Sequence, residues 1–133
     1  MLKDINFPEI NDVKVAVAYS DSEGKDNWVV YILNEKNEAI KNVLVVSKGY
    51  GEVKKKPVKT STLRRFFEEI PSCQVQQIES IPNELIGIAN EYWISFYVNG
   101  KVFDKKFVFT SGSLSKEYLV NLPILNQKGI LHA

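Results

Sequence analysis

The chain has 133 residues, and its 17 lysines and arginines against 16 aspartates and glutamates leave a formal net charge of +1. This balance excludes a global field that would attract nucleic acid or acidic lipid, so any electrostatic function must come from local clustering of charge. The length is typical of one domain, in which folding buries roughly two thirds of the unfolded chain's surface. The single cysteine, Cys73, excludes a disulfide within the chain.

Three features predict a cytoplasmic protein without membrane association. A lone cysteine is typical of a reducing compartment. The opening MLKDINFPEINDV has no apolar stretch of the kind that a secretion signal needs after its positive charge. No run in the chain approaches the ~20 apolar residues that a membrane helix requires.

The first half of the chain has the pattern of short β-strands separated by polar turns. VKVAVAY, residues 13–19, alternates valine and tyrosine with lysine and alanine. WVVYILN, residues 28–34, is rich in β-branched and aromatic residues, and AIKNVLVVS, residues 39–47, predicts a third strand. QVQQIESI, residues 74–81, predicts a further strand from a weaker alternation.

TSTLRRFFEEIP, residues 60–71, allows two interpretations. Its apolar residues from Leu63 to Ile70 recur at the i, i+3, i+4, i+7 spacing of one helical face, which Thr60 or Ser61 would cap and Pro71 would end. The same residues also have the pattern of a strand that kinks at the proline, and short helices are marginal without tertiary packing. We expect one short helix or helical turn here. It would allow the i, i+4 ion pairs Arg64–Glu68 and Arg65–Glu69.

The strongest local signal is a hairpin at residues 92–109, YWISFYV-NG-KVFDKKFVF. Asn-Gly favours a type I′ turn because both residues tolerate positive φ, and a two-residue loop fixes the register. We therefore expect Phe96 opposite Phe103 and Tyr92 opposite Phe107 on a core face. The other face then presents three pairs, Trp93 with Lys106, Ser95 with Asp104, and Tyr97 with Val102, of which the first is a candidate cation–π pair.

Six or seven strands over about 110 residues predict one β-rich domain, residues 1–133, with the fold of an antiparallel β-sandwich. Residues 28–51 have the rhythm of immunoglobulin-like sandwiches, with a strand that ends in asparagine, a polar turn and a β-branched strand. The alternative is an α+β domain with one antiparallel sheet and a packed helix.

Two stretches partly match the signatures of the RNA-recognition motif. VYILN, residues 30–34, is similar to its apolar-aromatic strand, and KGYG, residues 48–51, is similar to the start of its other signature. A helix and a strand must separate the two signatures, which takes on the order of 25 residues. NEKNEAIKNVLVV, residues 34–46, has room for one turn and one strand. The spacing therefore argues against this motif.

A basic segment, residues 48–65, holds seven of the 17 basic residues and one acid, Glu52. If a helix begins near Thr60, the N–H groups at its N-terminus and the nearby lysines would hold a phosphate or another anion. The competing interpretation is a solvated loop whose lysines discourage pairing at a sheet edge. The candidate anion-binding residues are Lys54, Lys55, Lys56, Lys59, Thr60, Arg64 and Arg65.

The residue types that carry metal and catalytic chemistry are scarce. The only histidine, His132, lies one residue from the end, and Cys73 has the setting of a small buried filler. These two residues provide neither a zinc-ligand spacing nor a well-placed catalytic pair. The acidic residues Asp21, Glu23 and Asp26 lack the regular ligand spacing of a calcium loop. We expect no metal, no cofactor and no enzymatic activity.

The outer face of the predicted hairpin is a candidate interaction surface. Trp93 and Tyr97 would be exposed there in a two-sheet sandwich unless another segment covers them. The apolar ending LVNLPILNQKGILHA, residues 119–133, is the expected cover. If it packs elsewhere, an exposed aromatic patch indicates a partner surface, with Trp93, Tyr97 and Lys106 as the candidate protein-binding residues.

Four blocks together resemble a family of small bacterial proteins without established function, and the resemblance covers nearly the whole chain. They are NVLVVSKGYGE, KTSTLRRFFEEIP, NEYWISFYVNGKVFDKKFVF and LPILNQKGIL. Some members of that family carry the label phenylalanyl-tRNA synthetase alpha subunit. A class II synthetase core needs a far longer chain with arginine-bearing motifs that hold ATP. The resemblance therefore implies a single small domain and adds no functional residues.

The sequence as a whole predicts a non-catalytic cytoplasmic domain that binds another protein. The rival hypothesis is binding of nucleic acid or another polyanion through residues 48–65. The oligomeric state stays open, because the sequence does not show which sheet edge is free.

Overall fold

The structure, a computed structural model, describes residues 11–132. Ten β-strands and two 3₁₀ turns make up the regular structure of this range. The strands are β1 Val13–Ser22, β2 Lys25–Asn34, β3 Ile40–Val53, β4 Lys56–Lys59, β5 Leu63–Ile70, β6 Gln74–Ile81, β7 Ala89–Val98, β8 Lys101–Phe109, β9 Val120–Asn121 and β10 Lys128–His132. The 3₁₀ turns are Asn83–Leu85 and Lys116–Tyr118.

The strands form two antiparallel sheets that pack face to face. Sheet 1 has the order β6-β2-β1-β10-β9, and sheet 2 has the order β4-β3-β7-β8. β3 is long enough to hold two partners on one side, because residues 50–53 pair with β4 and residues 40–47 pair with β5. β7 pairs with the other side of β3. The predicted antiparallel sandwich is confirmed.

The strand order also has the pairings of an immunoglobulin-like sandwich. In that class strands A to G form the pairs A–B, B–E, C–F and F–G. Here β1–β2, β2–β6, β3–β7 and β7–β8 are the corresponding pairs. β5 lies beside β3 rather than beside β6, so its place differs from that of strand D. β9 and β10 extend sheet 1 beyond β1.

The core lies between the two sheets and consists of the inward residues of alternating strands. Val13, Val15 and Val17 of β1 are fully buried, as the sequence alternation predicts. The largest fully buried side chains are Tyr92 and Phe96 of β7 and Phe107 of β8. Burial of each large apolar side chain stabilises the fold by about 1.5–3 kcal/mol, so this alternation drives the two sheets together.

The β7–β8 hairpin has the register that the sequence predicts. Asn99 and Gly100 form the two-residue turn with φ of 51° and 75°. Phe96 pairs with Phe103, and their rings stack with centroids 5.7 Å apart. Tyr92 pairs with Phe107, and the outer face carries the three expected pairs of Trp93 with Lys106, Ser95 with Asp104, and Tyr97 with Val102.

The predicted short helix in residues 60–71 is wrong, because β5 occupies Leu63–Ile70 and pairs with β3. The helical spacing of the apolar residues does not produce a buried face, since Phe66 is 58% exposed while Ile70 is buried. β3 offers eight residues of unpaired backbone at this position, and pairing satisfies the N–H and C=O groups of both strands. This tertiary contact outweighs a local pattern that is marginal without packing.

The apolar end of the chain does not cover the β7–β8 hairpin, so that expectation is wrong. It runs along sheet 1 instead, where β10 pairs with β1. Leu122 and Leu125 pack on the outer face of that sheet against Ala16, Ala18 and Leu33. The two alanines leave room for this segment, which gives sheet 1 a second, smaller core.

The backbones of β1 and β10 approach closely at Gly129. A side-chain carbon added there would collide with the carbonyl oxygen of Val17 and would crowd the Leu122 side chain. Glycine is therefore required for the pairing that holds the end of the chain on sheet 1.

A buried asparagine joins the two sheets where the chain crosses from β2 to β3. Asn34 is fully buried, and its Nδ2 donates to the carbonyl oxygens of Glu38, Ile70 and Pro71 at 3.0, 3.1 and 3.1 Å. Its Oδ1 accepts from the N–H of Lys36 at 3.0 Å. One amide thus organises the turn after β2 and the end of β5.

We expect Asn34→Asp to lower the free energy of unfolding by about 2–4 kcal/mol, because a carboxylate would then face three carbonyl oxygens in a buried site. Chemical denaturation followed by circular dichroism measures this loss. Asn27→Asp is the matched control, since Asn27 is exposed on the same strand and should change stability by less than about 0.5 kcal/mol. Equal losses in both variants would contradict the role assigned to Asn34.

Candidate functional site

The outer face of sheet 2 gathers large apolar side chains from four strands. The register aligns Arg64, Val46, Trp93 and Lys106 in one row across β5, β3, β7 and β8. The next row contains Phe66, Leu44, Ser95 and Asp104, and Tyr97 pairs with Val102 beyond it. The exposed apolar members are Leu44, Phe66, Trp93, Tyr97 and Val102, and we call them the aromatic face.

No segment in residues 11–132 covers the aromatic face. Trp93 is 46% exposed and Tyr97 is 43% exposed, because the end of the chain packs on the opposite sheet. Sheet surfaces that face solvent usually alternate to polar residues. β7 departs from this pattern on its outer side, where a tryptophan and a tyrosine flank Ser95.

A cation borders the exposed tryptophan. The Nζ of Lys106 lies 6.0 Å from the centroid of the Trp93 ring, at the outer limit of a cation–π contact. The predicted pair is therefore present, and Lys106 joins Trp93 and Tyr97 on one surface. All three candidate protein-binding residues thus lie on one face, with Lys106 opposite Trp93 and Tyr97 four residues further along β7.

Ion pairs lie at both ends of this surface. The Nζ of Lys48 is 3.7 Å from the Oε2 of Glu91, and the hydroxyl of Tyr50 donates to the Oε1 of the same carboxylate at 3.3 Å. Burial raises the pKa of Tyr50, and the Glu91 charge raises it further. At the other end Lys41 Nζ lies 4.0 Å from Glu69 Oε1. These pairs neutralise charges at the two margins of the aromatic face.

The helix N-terminus that the predicted anion site would use is absent, because no helix begins at Thr60 and residues 63–70 form β5. Lys54 and Lys55 form the turn between β3 and β4, with φ of 52° and 66°. The hydroxyl of Thr60 accepts from the N–H of Gly49 at 2.7 Å and so anchors the kink between β4 and β5. The candidate residues are spread along a hairpin, with Lys56 and Lys59 in β4 and Arg64 and Arg65 in β5.

The two partial RNA-recognition signatures lie in different sheets. VYILN belongs to β2 of sheet 1, and KGYG belongs to β3 of sheet 2. That motif requires them on neighbouring strands of one sheet, so the structure agrees with the spacing argument against it.

A cleft of about 270 Å³ opens between β6 and the strands β3 and β5. Sequence reasoning missed it, because residues far apart in the chain form its walls where the edges of two sheets meet. At the cleft the hydroxyl of Tyr92 donates to the Oε2 of Glu79 at 2.7 Å. Burial raises the pKa of this tyrosine, and Glu79 raises it further. The cleft is smaller than most small-molecule sites, which span roughly 300–1,000 Å³.

The residue types with metal or redox chemistry are dispersed in the structure. Residues 11–132 contain no group of three or more His, Cys, Asp or Glu side chains that could hold a metal ion. Cys73 is exposed, so its expected role as a buried filler is wrong. The ring of His132 packs edge-on against Phe107 and Phe109, with centroids 5.2 and 5.7 Å away.

The structure also bears on the membrane. Within residues 11–132 there is no helix with the length and apolar character that crossing a bilayer requires.

Comparison of the chain with protein-family models finds no match, and comparison with curated proteins finds no relative. Any argument about function therefore depends on the geometry of the surfaces described above.

A tyrosine and an aspartate form a hydrogen bond across β1 and β2, near the acidic turn that joins the two strands. The hydroxyl of Tyr19 donates to the Oδ1 of Asp26 at 2.6 Å, and Lys116 Nζ lies 3.6 Å from the same oxygen. The hydrogen bond to Asp26, with burial and the nearby acidic charges, raises the pKa of Tyr19 to about 12.

We expect Tyr19 to titrate near 12 rather than near its ordinary value of 10. Because the pKa is raised in the folded state, the stabilisation is complete below pH 10 and is lost as the pH rises through about 12. Asp26→Asn should lower the pKa of Tyr19, and NMR of ring-labelled tyrosine measures it. Asp104→Asn removes a distant carboxylate and should leave the pKa unchanged. An unchanged pKa in Asp26→Asn would show that the hydrogen bond is not the cause.

Proposed function

We propose that this chain is a non-catalytic binding module that uses the aromatic face to bind another protein. The observation that carries the proposal is the exposure of five large apolar side chains on one sheet surface, with no covering segment in residues 11–132. Exposed contiguous apolar patches on a folded domain mark interaction sites.

The composition of the aromatic face supports a protein partner. Tryptophan, tyrosine and arginine contribute most of the binding energy in protein interfaces, and they cluster at the centre of the contact. Trp93 and Tyr97 lie two residues before and two residues after Ser95, on the same face of β7. Arg64 of β5 lies in the same row across the sheet as Trp93. A partner that buries the two rings would remove the largest apolar groups from water at low entropic cost, since each ring has two rotatable bonds.

The exposed thiol of Cys73 supports a cytoplasmic location, because exposed cysteines stay reduced in that compartment. The four sequence blocks support kinship with the small bacterial family that they resemble. Neither point assigns a partner.

A second candidate function is binding of single-stranded nucleic acid. Arg64 and Lys106 flank Trp93 in one row, and the turn lysines Lys54 and Lys55 extend from the same sheet. Aromatic rings beside cations can stack bases and contact phosphates. The aromatic ring with its flanking cations and the turn lysines belong to one sheet. Together they favour nucleic-acid binding more than the basic segment does alone.

We expect Trp93→Ser with Tyr97→Ser to abolish capture of the partner, because the two rings are the centre of the contact. Tagged chain is incubated with nuclease-treated lysate of the source organism, and bound proteins are quantified by mass spectrometry. Tyr118→Ser is the matched control, since Tyr118 is 58% exposed and lies outside the aromatic face. Capture should be unchanged in this control.

Charge reversal separates the two candidate functions. Lys54→Glu, Lys55→Glu and Lys56→Glu together should leave protein capture intact and should abolish any binding of a labelled single-stranded oligonucleotide, measured by fluorescence anisotropy. Partners that disappear on nuclease treatment, with tight oligonucleotide binding, would reject the protein-binding proposal in favour of the rival. Thermal unfolding of every variant confirms that the fold is retained.

A further inference from the structure

β5 is exposed to an unusual degree for a strand of a sandwich. Six of its eight residues are exposed, and only Ile70 is buried. Phe66 and Leu63, on opposite sides of the strand, are 58% and 40% exposed. An exposed hydrophobic edge strand is a site for pairing with another chain.

No strand in residues 11–132 pairs with the second edge of β5, so the backbone groups along that edge have no strand partner there. Antiparallel pairs alternate between residues that exchange hydrogen bonds with the neighbour and residues that do not. The N–H of Thr60 donates to the carbonyl of Gly49 at 2.9 Å, so alternate residues of β3 from Gly49 backwards point toward β4 and β5. Leu63, Arg65 and Phe67 therefore bond to β3, whereas Arg64, Phe66 and Glu68 direct their N–H and C=O groups to the open edge.

Most charges of β5 have no ion-pair partner among the described residues, although Glu69 lies 4.0 Å from Lys41. Arg64, Arg65 and Glu68 form no ion pair with any residue in the described range 11–132. The i, i+4 pairs expected on a helix cannot form, because residues four apart in a strand are about 13 Å from each other.

The order of these charges is self-complementary. LRRFFEEI has two arginines before its aromatic centre and two glutamates after it. An antiparallel copy centred on Phe66 places Arg64 opposite Glu68 of the second copy and Glu68 opposite Arg64 of the second copy. The two Phe66 rings then face each other, which is a favourable cross-strand pair. This register uses the three residues that point to the open edge.

We propose that β5 is a homodimerisation edge, on which β5 of a second copy of this chain pairs antiparallel in this register. The contact is isologous, so each residue pair occurs twice about the two-fold axis. It forms three hydrogen-bonded residue pairs, or about six backbone hydrogen bonds. Sheet 2 of one copy continues into sheet 2 of the other, and two aromatic faces meet at Phe66.

The other long edge of sheet 2 is less suitable. β8 could pair Asp104 with Lys106 of a second copy. In that register, however, Lys105 of one copy lies directly opposite Lys105 of the other. Like charges directly opposite each other destabilise a strand pair. β4 is short and contains Pro57, and β9 has two residues. Within sheet 2, self-pairing is therefore favoured at β5.

The dimer does not depend on the protein-binding function proposed above. It uses the edge of sheet 2 and needs no other macromolecule, so the two proposals can fail separately. The oligomeric state tests the dimer, and capture of a partner tests the protein-binding function.

We expect a reversible monomer–dimer equilibrium in sedimentation equilibrium experiments at concentrations up to about 1 mM, the range that a small interface requires. Arg64→Glu alone and Glu68→Arg alone should each raise the dissociation constant about tenfold or more, because each converts two attractive pairs into repulsive ones. The double variant Arg64→Glu/Glu68→Arg restores both pairs and should return the constant to within about threefold of the original value. Lys128→Glu changes the charge equally on sheet 1 and should have little effect.

Amide hydrogen exchange of the unmodified chain gives a second measurement that needs no variant. The amides of Arg64, Phe66 and Glu68 should become protected as the concentration passes the dissociation constant, whereas those of Arg65 and Phe67 should be protected at all concentrations. A chain that stays monomeric to about 1 mM, a double variant that does not recover, or a dimer that leaves the amides of Arg64, Phe66 and Glu68 unprotected would each overturn the proposal.

Discussion

The buried amide of Asn34 is the constraint on which the arrangement of the two sheets depends. Its nitrogen donates to the carbonyl groups of Glu38, Ile70 and Pro71, and these acceptors belong to the connection after β2 and to the end of β5. Without such a donor, the buried carbonyl group of Ile70 would lose this partner, at a cost of about 1–3 kcal/mol. The amide therefore connects the end of β2 in sheet 1 both to the turn that leads into β3 and to the end of β5 in sheet 2. It also explains why the strand WVVYILN, otherwise apolar at its end, finishes in asparagine.

The position of the chain's end decides which sheet surface remains exposed. Small residues on the outer side of β1, Ala16 and Ala18, leave a shallow surface that Leu122 and Leu125 fill. Gly129 allows β10 to pair with β1 where any side chain would collide with the backbone of Val17. The outer side of sheet 2 carries Trp93 and Tyr97 and provides no comparable recess. The apolar end of the chain therefore packs on sheet 1, and the aromatic rings on the outer side of sheet 2 stay in contact with solvent. The candidate site thus follows from the packing of a segment that takes no part in it.

The prediction that Trp93, Tyr97 and Lys106 lie on one face, with Trp93 opposite Lys106, was correct. A two-residue turn and a period of two residues determine this arrangement locally. The same reasoning could not find Leu44 and Phe66, which join that face from β3 and β5. Their position depends on two strand pairings that no local signal predicts, since Leu44 lies opposite Ser95 of β7 and opposite Phe66 of β5. The helix N-terminus expected at Thr60, on which the anion site would depend, is absent for a related reason. The site required a helix that exists only if no strand is available to pair with residues 63–70.

The sequence by itself determined the sandwich class, the main core strands and the register of the β7–β8 hairpin. These features depend on the alternation of side chains and on turn residues, which act over a few positions. Only the tertiary structure decided that LRRFFEEI is a strand, that the end of the chain packs on sheet 1, and that Cys73 is exposed. Each of these outcomes is a competition between surfaces that are distant in sequence. The result depends on which pairing satisfies the most backbone groups and buries the most apolar area. A local sequence pattern does not show which of two distant pairings is the more stable.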